Sequence, residues 1–196
     1  MHRLTGVLVL GLVTGGILER CVAFSLQKRG RKRPDWFFWL PALNTLIYTA
    51  MAAGAKGQAG GILSCLCASG LLAVGIIDRE TLEIPWGYNL FIGGIGLLKA
   101  LWGTARWYEH AAGFLAVSAV LYLFFLITGA EGIGGGDVKL MAAAGLVLGW
   151  EKALWAFWTG ALAGVLFHCL WGKEKGRHKG FALGPFLAAG IFVQML

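Results

Sequence analysis

Charge is what this 196-residue chain most lacks. Only 14% of its residues are Asp, Glu, Lys or Arg, while 58% are hydrophobic, and mean hydropathy is +0.70. A water-soluble domain carries about 25% charged and roughly 45–50% apolar residues, and one this small has too little interior to hide the excess. Disorder is excluded for the opposite reason, since it needs low hydrophobicity and high charge. The apolar runs are long and continuous, without the short alternating segments of a transmembrane barrel. Internal repeats and low-complexity tracts are also missing. The composition is that of an integral membrane protein, and its class is all-α, a polytopic helix bundle.

A spanning helix takes about 20 residues, so about eight account for nearly the whole chain. The runs predict spans at 4–26, 36–55, 61–77, 86–103, 111–129, 138–150, 153–172 and 181–196. No room is left for a soluble domain, and residues 1–196 read as one membrane-embedded unit with a short basic loop at 28–35. The first run is followed, not preceded, by its positive cluster and shows no small-x-small cleavage site, so it is expected to stay as a span.

Eight spans put both termini on one side. One set of loops and span ends then holds Arg20, the five basic residues of 28–33, Arg79, Lys139 and the four of 173–179. The other holds Arg3, Lys56, Lys99, Arg106 and Lys152. The first set, by the positive-inside bias, is cytoplasmic and both termini are outside. The same asymmetry accounts for the net charge of +7 without a nucleic-acid partner. Trp36, Trp39, Trp86, Trp102, Trp107, Trp150 and Trp171 fall at span ends, as an interfacial belt facing lipid does. Gly11 and Gly15, Gly145 and Gly149, and Gly160 and Gly164 stand four apart, a spacing that lets helix backbones approach closely.

Acidic residues number only 10. In or beside a span such groups are costly, which makes them functional candidates. Asp78 lies where the third span meets the cytoplasmic side. Asp137 follows Gly134-Gly135-Gly136 and opens the sixth span, where the helix dipole favours a carboxylate. Taken alone, Asp137 also reads as a plain helix cap. Two aspartates at one membrane level suit aspartic hydrolysis, in which a carboxylate pair shares one proton. Glu80 and Glu83 read as solvated loop charges. His168 reads as a packed histidine, and His2, His110 and His178 form no ligand cluster. Cys21, Cys65, Cys67 and Cys169 include no C-x-x-C pair, so no zinc site or other metal site is expected, and no cofactor.

Three segments resemble the type IV prepilin peptidases. Glu131-Gly132-Ile133-Gly134-Gly135-Gly136-Asp137-Val138-Lys139-Leu140 is similar to their GxGD segment. Asp78-Arg79-Glu80-Thr81-Leu82-Glu83-Ile84-Pro85 is similar to the segment carrying their first aspartate. Leu183-Gly184-Pro185-Phe186-Leu187 is similar to their late Gly-Pro-Phe element. The resemblance implies an eight-helix intramembrane aspartyl endopeptidase of the inner (plasma) membrane, with its site facing the cytoplasm. It implies prepilin or pseudopilin precursors as partners, cut after a glycine that precedes a hydrophobic helix. Asp78 and Asp137 would be catalytic. Gly134 and Gly136 would shape the loop beside Lys139, and Gly184, Pro185 and Phe186 would line the site. Fuller members carry a cytoplasmic insert with Cys-x-x-Cys pairs that hold zinc; the short 28–35 loop stands in its place, which puts N-methyltransferase activity in doubt. A transporter or assembly scaffold, or an inactive homologue of the peptidase, stays open as the alternative.

The charge bias yields a test of orientation. Cysteines introduced at Gly30 and Gly176 are expected to resist an impermeant thiol reagent in intact cells and to react after lysis. Reaction in intact cells reverses the orientation.

Overall fold

The computed structural model describes residues 2–54, 60–102, 107–128, 134–171 and 181–196. Among these described residues eight α-helices follow one another: α1 (His2–Lys28), α2 (Leu40–Gly54), α3 (Gly60–Thr81), α4 (Trp86–Trp102), α5 (Trp107–Thr128), α6 (Gly135–Leu148), α7 (Trp150–Trp171) and α8 (Gly184–Met195). A 3-10 turn, Asp35–Trp39, leads into α2, and no strand occurs among the described residues. The all-α membrane bundle expected from composition is therefore found.

The helices alternate in length. The odd-numbered four have 27, 22, 22 and 22 residues, and within each lies a span long and apolar enough to cross a membrane. The even-numbered four have 15, 17, 14 and 12 residues. At 1.5 Å per residue α6 and α8 are about 21 and 18 Å long, short of a hydrocarbon core of about 30 Å. Cross-contacts fix their sense. Gly11 meets Thr45 and Gly15 meets Pro41, so α2 runs back along α1. Arg29, just past α1, reaches Glu83, just past α3, so those two are parallel. Lys99 near the end of α4 bonds Ser64 near the start of α3, and His110 near the start of α5 bonds the Leu146 carbonyl near the end of α6. The short helices all begin at the end of the bundle where α1 and α3 finish.

Central among them is α3, which packs against α1, α2, α4 and α8. Its apolar span is 61% buried, against 28% or less in the other three long helices. The larger core joins Val74 of α3, Ile92 of α4, Leu140 and Met141 of α6, and Leu187 and Ile191 of α8. A smaller one sets Val22 and Leu26 of α1 and Leu40 of α2 against Ile77. Between α1, α2 and α3 a buried polar chain is fully paired. The Asn44 amide donates to Gly11 O and Thr14 Oγ1, Ser69 Oγ donates to Asn44 Oδ1 at 2.7 Å, and Tyr48 Oη lies 2.9 Å from Ser69 Oγ. Outward faces stay apolar, with Phe24, Leu46, Leu101, Ile127 and Leu170 all exposed, as a lipid-facing surface requires.

Several boundaries differ from the sequence reading. The third span continues from 77 to Thr81, so Asp78 lies inside its last turn, because nothing in Asp-Arg-Glu-Thr breaks a helix before Leu82 adopts φ +57°. The break between α6 and α7 is a single residue, Gly149 at φ +80°, and α7 starts at Trp150, not 153. Of the glycines four apart, Gly149 thus serves a turn. Gly160 and Gly164 pack on Leu187 and Leu183 as expected. The last helix starts at Gly184, not 181. The loops at 55–59 and 172–180, and residues 129–133 of the glycine-rich connector, fall outside the described residues.

Gly113 and Gly145 mark the tightest crossing: a Cβ on either overlaps backbone of the other. Gly145→Ala should force α5 from α6 and cost about 1–3 kcal/mol, as overpacking does. Gly16→Ala, whose Cβ meets nothing within 4 Å, should leave thermal stability in detergent unchanged or slightly raised.

Candidate active site

The site forms where the end of α3 meets the starts of α4, α6 and α8. Asp78, 6% exposed, points from the last turn of α3 at the first residue of α8. Gly184 N–H donates to its Oδ2 at 2.9 Å. The first N–H groups of a helix lack intrahelical partners, and a buried carboxylate needs donors, so each satisfies the other. Only glycine permits the contact, because a Cβ at 184 would lie 2.6 Å from Oδ2 and 2.8 Å from Cγ.

Asp137 is the third residue of α6. The reading of it as a helix cap does not hold, since Gly134 occupies the cap position in extended backbone and the Asp137 N–H bonds back to its carbonyl. Its carboxylate turns into the protein instead. Oδ1 is buried with no hydrogen-bond partner among the described residues, and the Asp78 carboxylate is near enough to act on it electrostatically. The two aspartates, 59 residues apart in sequence (137 − 78), lie at the same end of the bundle, Asp78 in the last turn of α3 and Asp137 in the first turn of α6.

Glycine again sets the approach. A Cβ on Gly136 would stand 3.1 Å from Ile84 Cβ, so its absence lets α6 start against the Ile84-Pro85 turn. A Cβ on Gly134 would lie 3.3 Å from Asp137 Oδ2. Other expected residues stand further out. Lys139 is exposed on α6. Pro185 packs on Gly75 and, with Trp36, Arg79 and Phe192, lines an apolar groove between α2, α3 and α8. Phe186 stacks with Phe181 at 5.5 Å between centroids and packs tilted against Phe167 at 5.3 Å. Glu83 is solvent-facing, as read, but takes a 3.5 Å ion pair from Arg29. His168 packs edge-on to Phe181 at 5.1 Å.

The structure adds Asn89, which the sequence reading passed over. It is buried in the first turn of α4, and its Nδ2 donates to the Gly136 carbonyl at 3.3 Å. The available signal was an amide inside an apolar run; attention to ionisable groups alone misses it. Among the described residues no group of three or more His, Cys, Asp or Glu side chains could hold a metal.

Comparison with known proteins gives one family. A model described as the type IV leader peptidase family matches residues 65–169. A prepilin leader peptidase/N-methyltransferase of Burkholderia pseudomallei (strain 1026b) is 39% identical over 153 residues, covering 72% of this chain and 49% of that protein. One of the same name from Pseudomonas aeruginosa is 34% identical over 158 residues, covering 76% and 53%. The chain thus spans about half the length of these curated relatives. No solved structure matches. Since the matched stretch takes in more than half of the residues, Asp78 and Asp137 among them, the chain belongs to the type IV leader peptidase family.

Proposed function

We propose that this chain is one membrane-embedded aspartyl endopeptidase domain that removes the short basic leader from prepilin or pseudopilin precursors. The observation that carries the reading is the gathering of Asp78, buried, and Asp137, half-buried with its Oδ1 enclosed, at a single end of the bundle. In this mechanism the pair holds one proton. The ionised carboxylate takes a proton from water as its oxygen attacks the scissile carbonyl carbon, and the protonated one donates to the carbonyl oxygen. As the C–N bond breaks, a proton passes to the departing amine and the pair returns to its starting state. The Gly184 N–H bond to Oδ2 holds the Asp78 carboxylate in one orientation, which leaves its other oxygen for the water.

A cytoplasmic location for the site follows from the charge bias, and the Arg29–Glu83 pair supports it by tying the basic loop to the aspartate end. Leader removal is the whole of the proposed activity. The loop at 28–35 carries no cysteine pair, so the product is expected to leave with a free, unmethylated amine.

Co-expression with a prepilin-like precursor tests the dyad. Asp78→Asn and Asp137→Asn keep size and polarity but cannot ionise, and each should slow leader removal by at least about 100-fold. Insertion into the membrane should be near normal, and Glu80→Gln and Glu83→Gln should cleave almost as the parent does. Substantial cleavage by either aspartate variant would defeat the assignment. Activity against pH should pass through one maximum, because the working state has a single proton on the pair.

A second test uses the glycine. Gly184→Ala drives a methyl into the Asp78 carboxylate, so it should cut kcat by about 10-fold or more while the protein still inserts. Normal kcat in Gly184→Ala would show that the Gly184 contact does not set the geometry of the Asp78 carboxylate.

A further inference from the structure

Asn89 is 6% exposed, and its amide is used at one end only. A carbonyl oxygen accepts and never donates, so the atom facing Gly136 O must be Nδ2. This fixes Oδ1 as the other end: an acceptor, buried, without a partner among the described residues. The other buried side-chain oxygen in that condition is Oδ1 of Asp137. Both belong to residues joined through Gly136, one by a hydrogen bond and one by a peptide bond. Among the described residues the other buried polar side chains are paired; Asn44, the comparable amide, uses both ends. A buried acceptor left unpaired is costly and rare, and here two cluster beside the dyad.

What Asn89 Oδ1 lacks is a donor. An extended peptide offers one main-chain N–H at nearly every residue, at any sequence. We propose that Asn89 is a substrate-binding residue, its Oδ1 accepting a main-chain N–H of the precursor next to the scissile bond. This rests on the leader-peptidase reading above. The Gly136 carbonyl holds the amide in place before substrate arrives, so the acceptor is oriented in advance and little freedom is lost on binding. An amide suits the task because it does not titrate and leaves the shared proton of the dyad alone. Holding the N–H of a neighbouring peptide unit fixes the scissile carbonyl relative to Asp78 and Asp137 without taking part in bond breaking.

The experiment uses the purified chain in detergent with synthetic precursor peptides spanning the leader junction. Main-chain N–H groups flanking the scissile bond are replaced one at a time by ester oxygen, which deletes the donor and keeps the shape. On the parent chain one such ester should lower kcat/KM about 10-fold, chiefly through KM, as loss of one hydrogen bond does. Asn89→Leu should lose a similar factor on the all-amide peptide, and the same ester should then cost nothing more. Its pH maximum should stay where the parent's lies. If no ester position costs the parent chain anything, the proposal fails, and that arm needs no variant to fold. It fails equally if Asn89→Leu cleaves normally or if the two losses multiply. With Asp78→Asn inactive, those results sink the Asn89 assignment alone. A parent chain that cleaves no precursor, or an active Asp78→Asn, removes the peptidase reading and this inference together.

Discussion

A single hydrogen bond, from Gly184 N–H to Asp78 Oδ2, ties the central helix to the last one, and much of the site follows from it. Both groups are buried, so each needs a partner within the protein. The start of α8 has unsatisfied N–H donors, and Pro185, which has none, leaves Gly184 as the donor at the helix tip. Asp78, buried at the end of α3, needs what that tip supplies. Satisfying both draws α8 against α3, and the glycines of the following turns make the rest of the approach possible. Gly190 lies against Ala156 and Gly160 of α7, with no room for a side chain. A polar requirement at one end is thus converted into a register for two helices.

Apolar side chains do not by themselves drive helices together in lipid, since the solvent is equally apolar. Close backbone contact takes over. The α6 helix illustrates it, pinned at its far end where Gly145 touches Gly113 and at its near end where Gly136 faces Ile84. Asp137 follows the near pin by one residue. Its position is therefore set by backbone against neighbours on both sides, a firmer mounting than a long side chain on a loop gives. The shortness of α6 and α8 belongs to the same scheme, because their starts reach the end of α3 and deliver Asp137 and Gly184 to it.

The class of protein was legible from composition alone, and the helix number from the apolar runs, because both depend on sums over many residues. The two aspartates stand out in the sequence because acidic residues beside spans are few and their context is distinctive, and the structure sets both at one end of the bundle. Boundaries were less so. One glycine at 149, with positive φ, suffices to end α6 and begin α7, and no run of polar residues announces it. Asp78 reads as the first residue of a loop and is the last turn of a helix. Gly184 and Asn89 owe their importance to partners 106 and 47 residues away, at Asp78 and Gly136, and spacing carries no trace of such pairings.

Peptide hydrolysis by a helix bundle meets a difficulty that sheet proteins avoid. A bond inside a substrate helix has its N–H and C=O committed internally, so the cut must fall in extended chain whose main-chain groups are free. A sheet receives such a chain by adding it to an edge. Here no strand exists among the described residues, and lipid offers nothing. Acceptors for the substrate must then come from side chains, mounted at helix ends where the backbone is not closed on itself. The candidate site has that form: Asn89, in the first turn of α4, holds an open side-chain acceptor beside Asp137 in the first turn of α6, at the end of α3. On the proposed reading, the burial that makes the protein close its other hydrogen bonds makes the open acceptor on Asn89 a means of gripping a peptide.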